Sequence, residues 1–392
     1  MSDSSVPHLV TEVPGPRAQA LVARSDRAVS PSLPRAYPLA VKQAQGVVVE
    51  DLDGNRFLDC AAGIAVCSTG HCHPRVSAAI QEQAARLLHI CGTDYYDPLY
   101  ITLAERLGAL APGRSPKRVF LGNSGAEAVE AALKLVRHHT GRSRVIAFFG
   151  AFHGRTMGAV SLTASKPVYH GRFGPLVPGI VHVPYAYCYR CTYNLTYPDC
   201  GLACVEYIED VLFARTIPPE EVAAVFVEPV QGEGGYIVPP PGWLPRLRAL
   251  CDRYGILLVA DEVQSGMGRT GKMLAIEHWG GRARCRVPGQ GAGLGDAALG
   301  HDRSRGDHEL AAGCPRQHLW RQSRLLCGGP RHAGRLGGGG AAGERGSRRP
   351  AAAGQPTRPG PRKPPPRRRA GAGVDDRRGA GARQRNTRDG QG

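Results

Sequence analysis

Four times between residues 117 and 264 a polar or charged group follows directly on an apolar run. After KRVFLG comes Asn123-Ser124-Gly125-Ala126-Glu127. Ser124 suits a helix N-cap, and Glu127 three residues on completes a capping box. The free N–H groups of such a first turn, with the helix dipole, attract an anion such as phosphate. The same pattern also serves an ordinary capped helix. After RVIAFFG come Phe152 and His153, which could stack on a flat heterocycle or fill a core. After AAVFV comes Glu228, then Glu233 in a Gly-rich turn. Two carboxylates there could position a substrate, pair with a cation or cap a loop. After ILLVA come Asp261 and, three residues later, Gln264. An Asp behind five apolar residues carries a large desolvation cost unless it meets a cation. A protonated ring nitrogen is one such cation, and holding that proton makes the ring an electron sink. Capping the next helix is the plainer role for the same Asp.

The elements that must position these groups are readable too. KRVFLG, RVIAFFG, GIVHVPY, AAVFVEPV and ILLVADEV read as buried strands, with helical stretches at 124–139 and 242–254. Strands and helices alternating at this spacing predict an α/β fold, a mostly parallel sheet with helices on both faces. Ligands of such sheets lie at the carboxyl ends of the strands, where all four motifs fall. Segments 75–91 and 99–110 have helical spacing, and 47–59 reads as a hairpin turning at Asp53-Gly54. The Pro-rich N-terminal segment, 1–50, is expected over the surface of the core.

Charge divides the chain. Residues 1–280 hold 26 Lys and Arg against 25 Asp and Glu, whereas 281–392 hold 24 against 8. The basic part contains no Ile or Phe, one aromatic (Trp320) and nine Leu or Val. So little apolar surface cannot offset ordering entropy, which predicts a disordered Arg/Gly/Pro-rich tail. No run of about twenty apolar residues exists, so no membrane span is expected. The N-terminus lacks the apolar stretch of a signal peptide, and twelve Cys in 392 residues is not a disulfide-dense pattern. Both point to a reducing, cytoplasmic setting. Cys188-x2-Cys191-x8-Cys200-x3-Cys204 could bind zinc, but its uneven spacing and Tyr-rich loop equally suit a thiol-rich surface loop, and no metal is assigned.

Together the phosphate cup, the ring-stacking aromatic, the buried Asp and the nearby Gln describe a site for pyridoxal 5'-phosphate. From about Pro38 to Trp279 the chain resembles the class III aminotransferases of fold type I, most nearly the 4-aminobutyrate and acetylornithine types. The resemblance rests on DLDGNRFLDCAAGIAV, GHCHP, GNSGAEAVEAALKLVR, AFHGRTMGAVSLTASK, VFVEPVQGEGGYIVPPPGWL and LLVADEVQSGMGRTGKM. It implies that residues 51–280 are a cofactor-binding large domain. Ser124, Gly125 and Ala126 would bind the phosphate, Phe152 would stack on the ring and His153 would lie beside it. Asp261 would pair with the ring nitrogen and Gln264 approach the ring oxygen, with Glu228 and Glu233 near the substrate. It further implies a homodimer acting on an amino donor and a 2-oxo acid, with no membrane or nucleic-acid partner.

The pattern breaks at Trp279-Gly280. The family needs a Lys for its Schiff base about thirty residues beyond Asp261, yet no Lys occurs between Lys272 and Lys363. A frameshift accounts for this. Codons permitted by Gly280–Leu299 yield GVEPDVVSLAKGLGSGMPL once a single G is removed from the opening run. The missing Lys codon then straddles Gln290 and Gly291. Codons permitted by 302–323 yield, at the same offset, a second family segment containing GNTFGGN. This chain is therefore expected to lack the rest of the large domain and the small C-terminal domain. An open apolar sheet edge, catalytic inactivity and poor solubility are expected to follow. Two other readings stay open: an amino-acid racemase with the same cofactor and fold, and a non-catalytic protein whose basic tail, notably PRKPPPRRR at 361–369, binds nucleic acid.

Overall fold

Each apolar run read as a strand is one, and the five belong to one seven-stranded sheet, two of them at its edges. A computed structural model describes residues 7–113, 117–280, 285–288 and 295–299. All of these lie in one compact unit, Met1–Leu325, and a second unit, Leu326–Gly392, falls outside them. The strands are β4 (Arg118–Gly122), β5 (Arg144–Phe148), β6 (Ile180–Val183), β7 (Val222–Val227), β8 (Leu257–Glu262), β9 (Cys285–Pro288) and β10 (Gly295–Leu299). Their order is β4-β10-β9-β8-β7-β5-β6. β6, β5, β7, β8 and β9 pair in parallel, and β10 runs antiparallel between β9 and β4.

Burial explains why β7 and β8 read as continuous apolar runs. All six residues of β7 and the last five of β8 are buried, because both sheet faces are covered. Ala224 and Phe226 point to one face, Val225 and Val227 to the other. The first face packs under α5 (Gly125–Thr140), whose Ala128, Val129, Ala132, Leu133 and Val136 recur at helical spacing and are all buried. Gly141 ends this helix in the left-handed region at φ 67°, donating its N–H to the Arg137 carbonyl. The second face packs against α8 (Trp243–Arg253) and α7 (Ala203–Tyr207).

A smaller antiparallel sheet joins β1 (Val41–Gln45), β2 (Val48–Asp51) and β3 (Arg56–Leu58), so one sheet runs across position 50. The expected hairpin is present, with Gly54 at φ +93°. The N-terminal segment is more ordered than its prolines suggest, for it contains α1 (Pro16–Ala28). The Asp53 carboxylate accepts the N–H groups of Arg17 and Ala18, which places a negative charge at the positive end of that helix. Beyond a single irregular turn, α2 (Ala62–Ala65), come α3 (Pro74–Arg86) and α4 (Pro98–Leu110), as the spacing predicts. No residue of α3 and only Leu107 of α4 is buried, while Val76, Ile80, Leu99 and Ile101 are exposed.

One expectation is overturned. β8 has no open edge, because Val259 to Glu262 pair with Cys285 to Pro288 of β9. Short segments of the Arg-rich part thus complete the row of strands: pairing uses backbone groups, which any non-proline side chain leaves available. The remaining expectations for 281–392 lie outside the described residues. No helix among the described residues is long and apolar enough to cross a membrane.

Candidate active site

The motif residues converge at the carboxyl ends of β4, β5, β7 and β8. Ser124 is the N-cap of α5, its hydroxyl accepting the Glu127 N–H at 3.1 Å. Glu127 reaches back one residue further than in a regular capping box, accepting both the N–H and the side-chain amide of Asn123. Gly125 is buried against Val263. A Cβ at Gly125 would come within 2.8 Å of Val263 Cγ1, so the helix start sits against the loop after β8 only because this residue is Gly. Gly154, at φ +125°, lies equally close to Ala126, where a Cβ would meet the Ala126 Cβ at 2.9 Å. The loop after β5 is thereby pressed onto the same first turn.

Asp261 and His153 form a buried hydrogen-bonded pair, with Nδ1 to Oδ2 at 2.7 Å. The desolvation cost foreseen for Asp261 is thus met inside the protein. Its other oxygen accepts the Val263 N–H, and carboxylate lone pairs remain for a further donor. Burial opposes charge on His153, but the hydrogen bond and charge of Asp261, with the charge of Glu228, outweigh it and raise its pKa. The His153 N–H donates to the Thr163 hydroxyl. Glu228 accepts the N–H of Phe152 at 3.0 Å and that of Gly232 at 3.2 Å, so it ties the loop after β5 to the Gly-rich turn. Burial pushes its carboxyl up to about 7. The neighbouring charge of Asp261 adds to this, and His153 and the two N–H donors work against it.

These shifts have a consequence for stability. The unfolded Glu228 carboxyl titrates near 4.5, the folded one near 7, so between these values the folded chain holds more protons. Stability must therefore fall as pH rises through this window, by up to about 3 kcal/mol. His153 acts in the same direction, its contribution being lost as pH rises through its raised pKa. Urea unfolding of Glu228→Gln at several pH values should show a flatter slope than the parent; an unchanged slope would remove Glu228 as the cause.

Glu233 has other partners. Its carboxylate takes the Lys166 ammonium at 2.6 Å and the Tyr169 hydroxyl at 3.0 Å, and the Lys166 bond holds its pKa below the usual range. Tyr169 in turn meets Phe152 edge-on, with centroids 5.3 Å apart. Gly232 lies directly beneath the Gln264 amide, where no Cβ would fit. All nine motif residues therefore belong to one interlocked cluster. Sequence reading missed Val263, Thr163, Lys166, Tyr169 and Tyr185. Only Tyr185, at the end of GIVHVPY, had a positional signal. Its hydroxyl donates to the backbone carbonyls of Glu228 and Pro229.

The cluster fits the noncovalent half of a pyridoxal-phosphate site. Gln264 Oε1 is buried with no donor and His153 Nε2 is buried with no partner, so polar atoms are left over where a polar ring would lie. The N-terminus of α5 offers the anion cup, and Phe152 the aromatic face. The covalent half does not fit. Of the described lysines in this region, Lys166 is held by Glu233, and no Lys occurs between Lys272 and Lys363.

Comparison with known proteins agrees. The family model "Aminotransferase class-III" matches residues 31–295. The 4-aminobutyrate aminotransferase of Mycobacterium tuberculosis is 43% identical over 274 residues, which are 69% of this chain and 61% of that protein. An alanine/serine racemase of Pyrococcus horikoshii is 37% identical over 294 residues, 74% of this chain and 62% of that protein. Among solved structures, a PLP-bound amine transaminase from an uncultivated Pseudomonas species superposes with a TM-score of 0.62 at 33% identity, covering 69% of this chain and 63% of that one. The chain thus spans about three fifths of the length of the curated relatives it matches. Proteins of this class depend on pyridoxal 5'-phosphate, and their large-domain fold is the sheet described above. By its motifs, its sheet and this match, the chain belongs to the class III aminotransferases.

Proposed function

We propose that the gene, in its unshifted frame, encodes a pyridoxal-phosphate-dependent aminotransferase. It would move an amino group from an ω-amino acid to 2-oxoglutarate. 4-Aminobutyrate is the first choice of donor, in keeping with the mycobacterial relative, and N-acetylornithine the second. The 392-residue chain, with its basic C-terminal part, is a form of that enzyme without transaminase activity. The observation that carries this is the missing Lys beside an otherwise assembled cluster. When bound, the cofactor supplies an electron sink for the amino donor's carbon. Ser124, Gly125 and Ala126 would anchor its phosphate through the α5 N-terminus. Phe152 would cover one ring face. Asp261, fixed by His153 and the Val263 N–H, would keep a proton on the ring nitrogen. Gln264 would take the ring hydroxyl. Glu233, paired with Lys166, would border the donor's far end. Without that Lys, and with Lys166 engaged by Glu233, nothing in the cluster would hold the cofactor covalently or shuttle the proton, so no transfer step follows for the chain.

The exposed apolar side chains of α3 and α4 support a homodimer, since apolar helix faces of this kind are normally covered by a partner. None of the nine cysteines whose side chains are described forms a disulfide, in keeping with a cytoplasmic setting. A second reading, racemisation with the same cofactor, is favoured by the Pyrococcus relative and is separated by product analysis.

The test uses the purified chain with added pyridoxal phosphate. Reversible binding that borohydride cannot trap, with no amino transfer from 4-aminobutyrate or acetylornithine, is expected. A borohydride-trapped Lys adduct with turnover would overturn the reading.

A further inference from the structure

Between the end of β6 at Val183 and the start of α7 at Ala203 the chain runs nineteen residues with one three-residue 3-10 turn, Cys188–Arg190. A stretch this long with so little regular structure needs something other than backbone pairing to hold it. The core holds its two ends, for Tyr185 and Ala186 are buried and Tyr187 and Leu202 pack against buried residues, whereas Tyr189, Leu195 and Tyr197 between them are exposed. Three thiols lie in the stretch, Cys188, Cys191 and Cys200, and a fourth, Cys204, stands in the first turn of α7. Cys188, Cys191, Cys200 and Cys204 all line one cavity of about 20 Å³, walled by Tyr185, Tyr187, Tyr193 and Leu202 among others. That is room for a water-sized guest or a bare metal ion.

We propose that Cys188, Cys191, Cys200 and Cys204 bind one structural Zn²⁺ in a tetrahedral four-thiolate site that fixes the 184–202 loop. The two pairs arrive from opposite ends of the loop. Cys188 opens the 3-10 turn and Cys191 follows it, and Cys200 and Cys204 span the entry to α7. An x2 pair joined to an x3 pair is within the ligand spacing of structural zinc sites. Among the described residues no three such side chains already stand in coordination geometry. The site would form only as the four thiols turn into the cavity they line, as in sites that close around the metal. Tyr193 gives a second, independent observation. Its hydroxyl is buried with no hydrogen-bond partner, in the wall of this same cavity. A metal-bound thiolate is the acceptor it lacks, in the role of an outer partner that orients a ligand. On binding, Zn²⁺ displaces four thiol protons to solvent and no electrons move. The site is separate from the pyridoxal cluster, but Tyr185 lines the cavity and also holds the Glu228 and Pro229 carbonyls.

The experiment is metal analysis of the whole chain, purified under reducing conditions, together with Co²⁺ titration. One zinc per chain is expected, with thiolate-to-cobalt charge-transfer bands on substitution. Cys188→Ser/Cys191→Ser should abolish both, whereas Cys60→Ser/Cys72→Ser, at two exposed thiols elsewhere, should change neither. Cys204→His should keep the metal and Cys204→Ala should lose it, a contrast that misfolding of both would not produce. Tyr193→Phe should weaken binding about tenfold. Metal-free parent protein with four titratable thiols, disulfides within the loop, or zinc that survives the Cys188→Ser/Cys191→Ser change would each overturn the proposal.

Discussion

Removing one guanine from the run encoding Gly280 and Gly281 is expected to turn an inert chain into an active aminotransferase. The chain already holds the anion cup at Ser124 to Ala126, the Asp261–His153 pair and the Gln264 amide in one cluster. The restored frame adds the Lys, which is both covalent anchor and proton shuttle. General acid–base catalysis alone contributes about 10²–10⁴-fold, so the gain over the unedited chain should be at least of that order. Amino transfer from 4-aminobutyrate to 2-oxoglutarate, assayed for both gene versions side by side, measures it. A repeat of the edited version with its new Lys changed to Ala should fall back to the unedited level. An edited gene that yields no transaminase, or an unedited chain that already transaminates, would rule out the frameshift. Sequencing the genomic run gives an independent check: one guanine fewer than the Gly280-Gly281 reading requires makes the basic tail an artefact of reading.

The largest single loss of stability is expected at Trp243. It is fully buried and meets Phe148 and Tyr185 with ring centroids 5.3 and 4.5 Å away. Phe148 and Tyr185 also touch each other, so three rings form one wedge between β5 and α8. Trp243→Ala removes the largest of them and should cost about 3–5 kcal/mol. The indole N–H has no partner, so its removal recovers part of a burial cost. Trp243→Phe, which keeps the ring packing and drops that donor, should therefore cost clearly less. Urea unfolding midpoints measure both. A Trp243→Ala loss below about 1 kcal/mol would show that the wedge repacks. Because Tyr185 braces the Glu228 backbone, the Ala variant should also perturb the pyridoxal cluster, which near-ultraviolet circular dichroism reports.

The strands were legible because they are buried on both faces: VAAVFV is apolar throughout, and LLVADE turns polar only at its carboxyl end, at Asp261 and Glu262. The helix from Gly125 to Thr140 was legible from its cap and its apolar stripe. α1 was not, since its prolines and charges mask a short amphipathic stretch whose order depends on Asp53, some way along the chain. In the site, the residues that follow strands stood out by position. Their partners did not. Nothing in the type or spacing of Thr163, Lys166 or Tyr169 marks them, because they reach the cluster through side chains from a loop. Local pattern likewise could not give Asp261 its true neighbour. His153 lies 108 residues away and only the crossover between β5 and β8 brings it near. The paired edge at β8 was missed for a different reason, since strand pairing there draws on backbone groups and composition records only side chains.

β4 occupies one end of the large sheet, and among the described residues it pairs with β10 alone. Its partner is made roughly 170 residues after it. At ordinary rates of translation the ribosome needs on the order of ten to thirty seconds to cover that distance. During this interval β4 and the helix it leads into have been synthesised, but the strand has no neighbour. The β4 edge of this chain therefore waits for its partner far longer than a hairpin takes to close, and a chaperone or earlier folded parts would have to shield it. On the proposed reading, a shift in frame just before β9 would fall inside that waiting period, and its cost would appear first in the yield of folded protein.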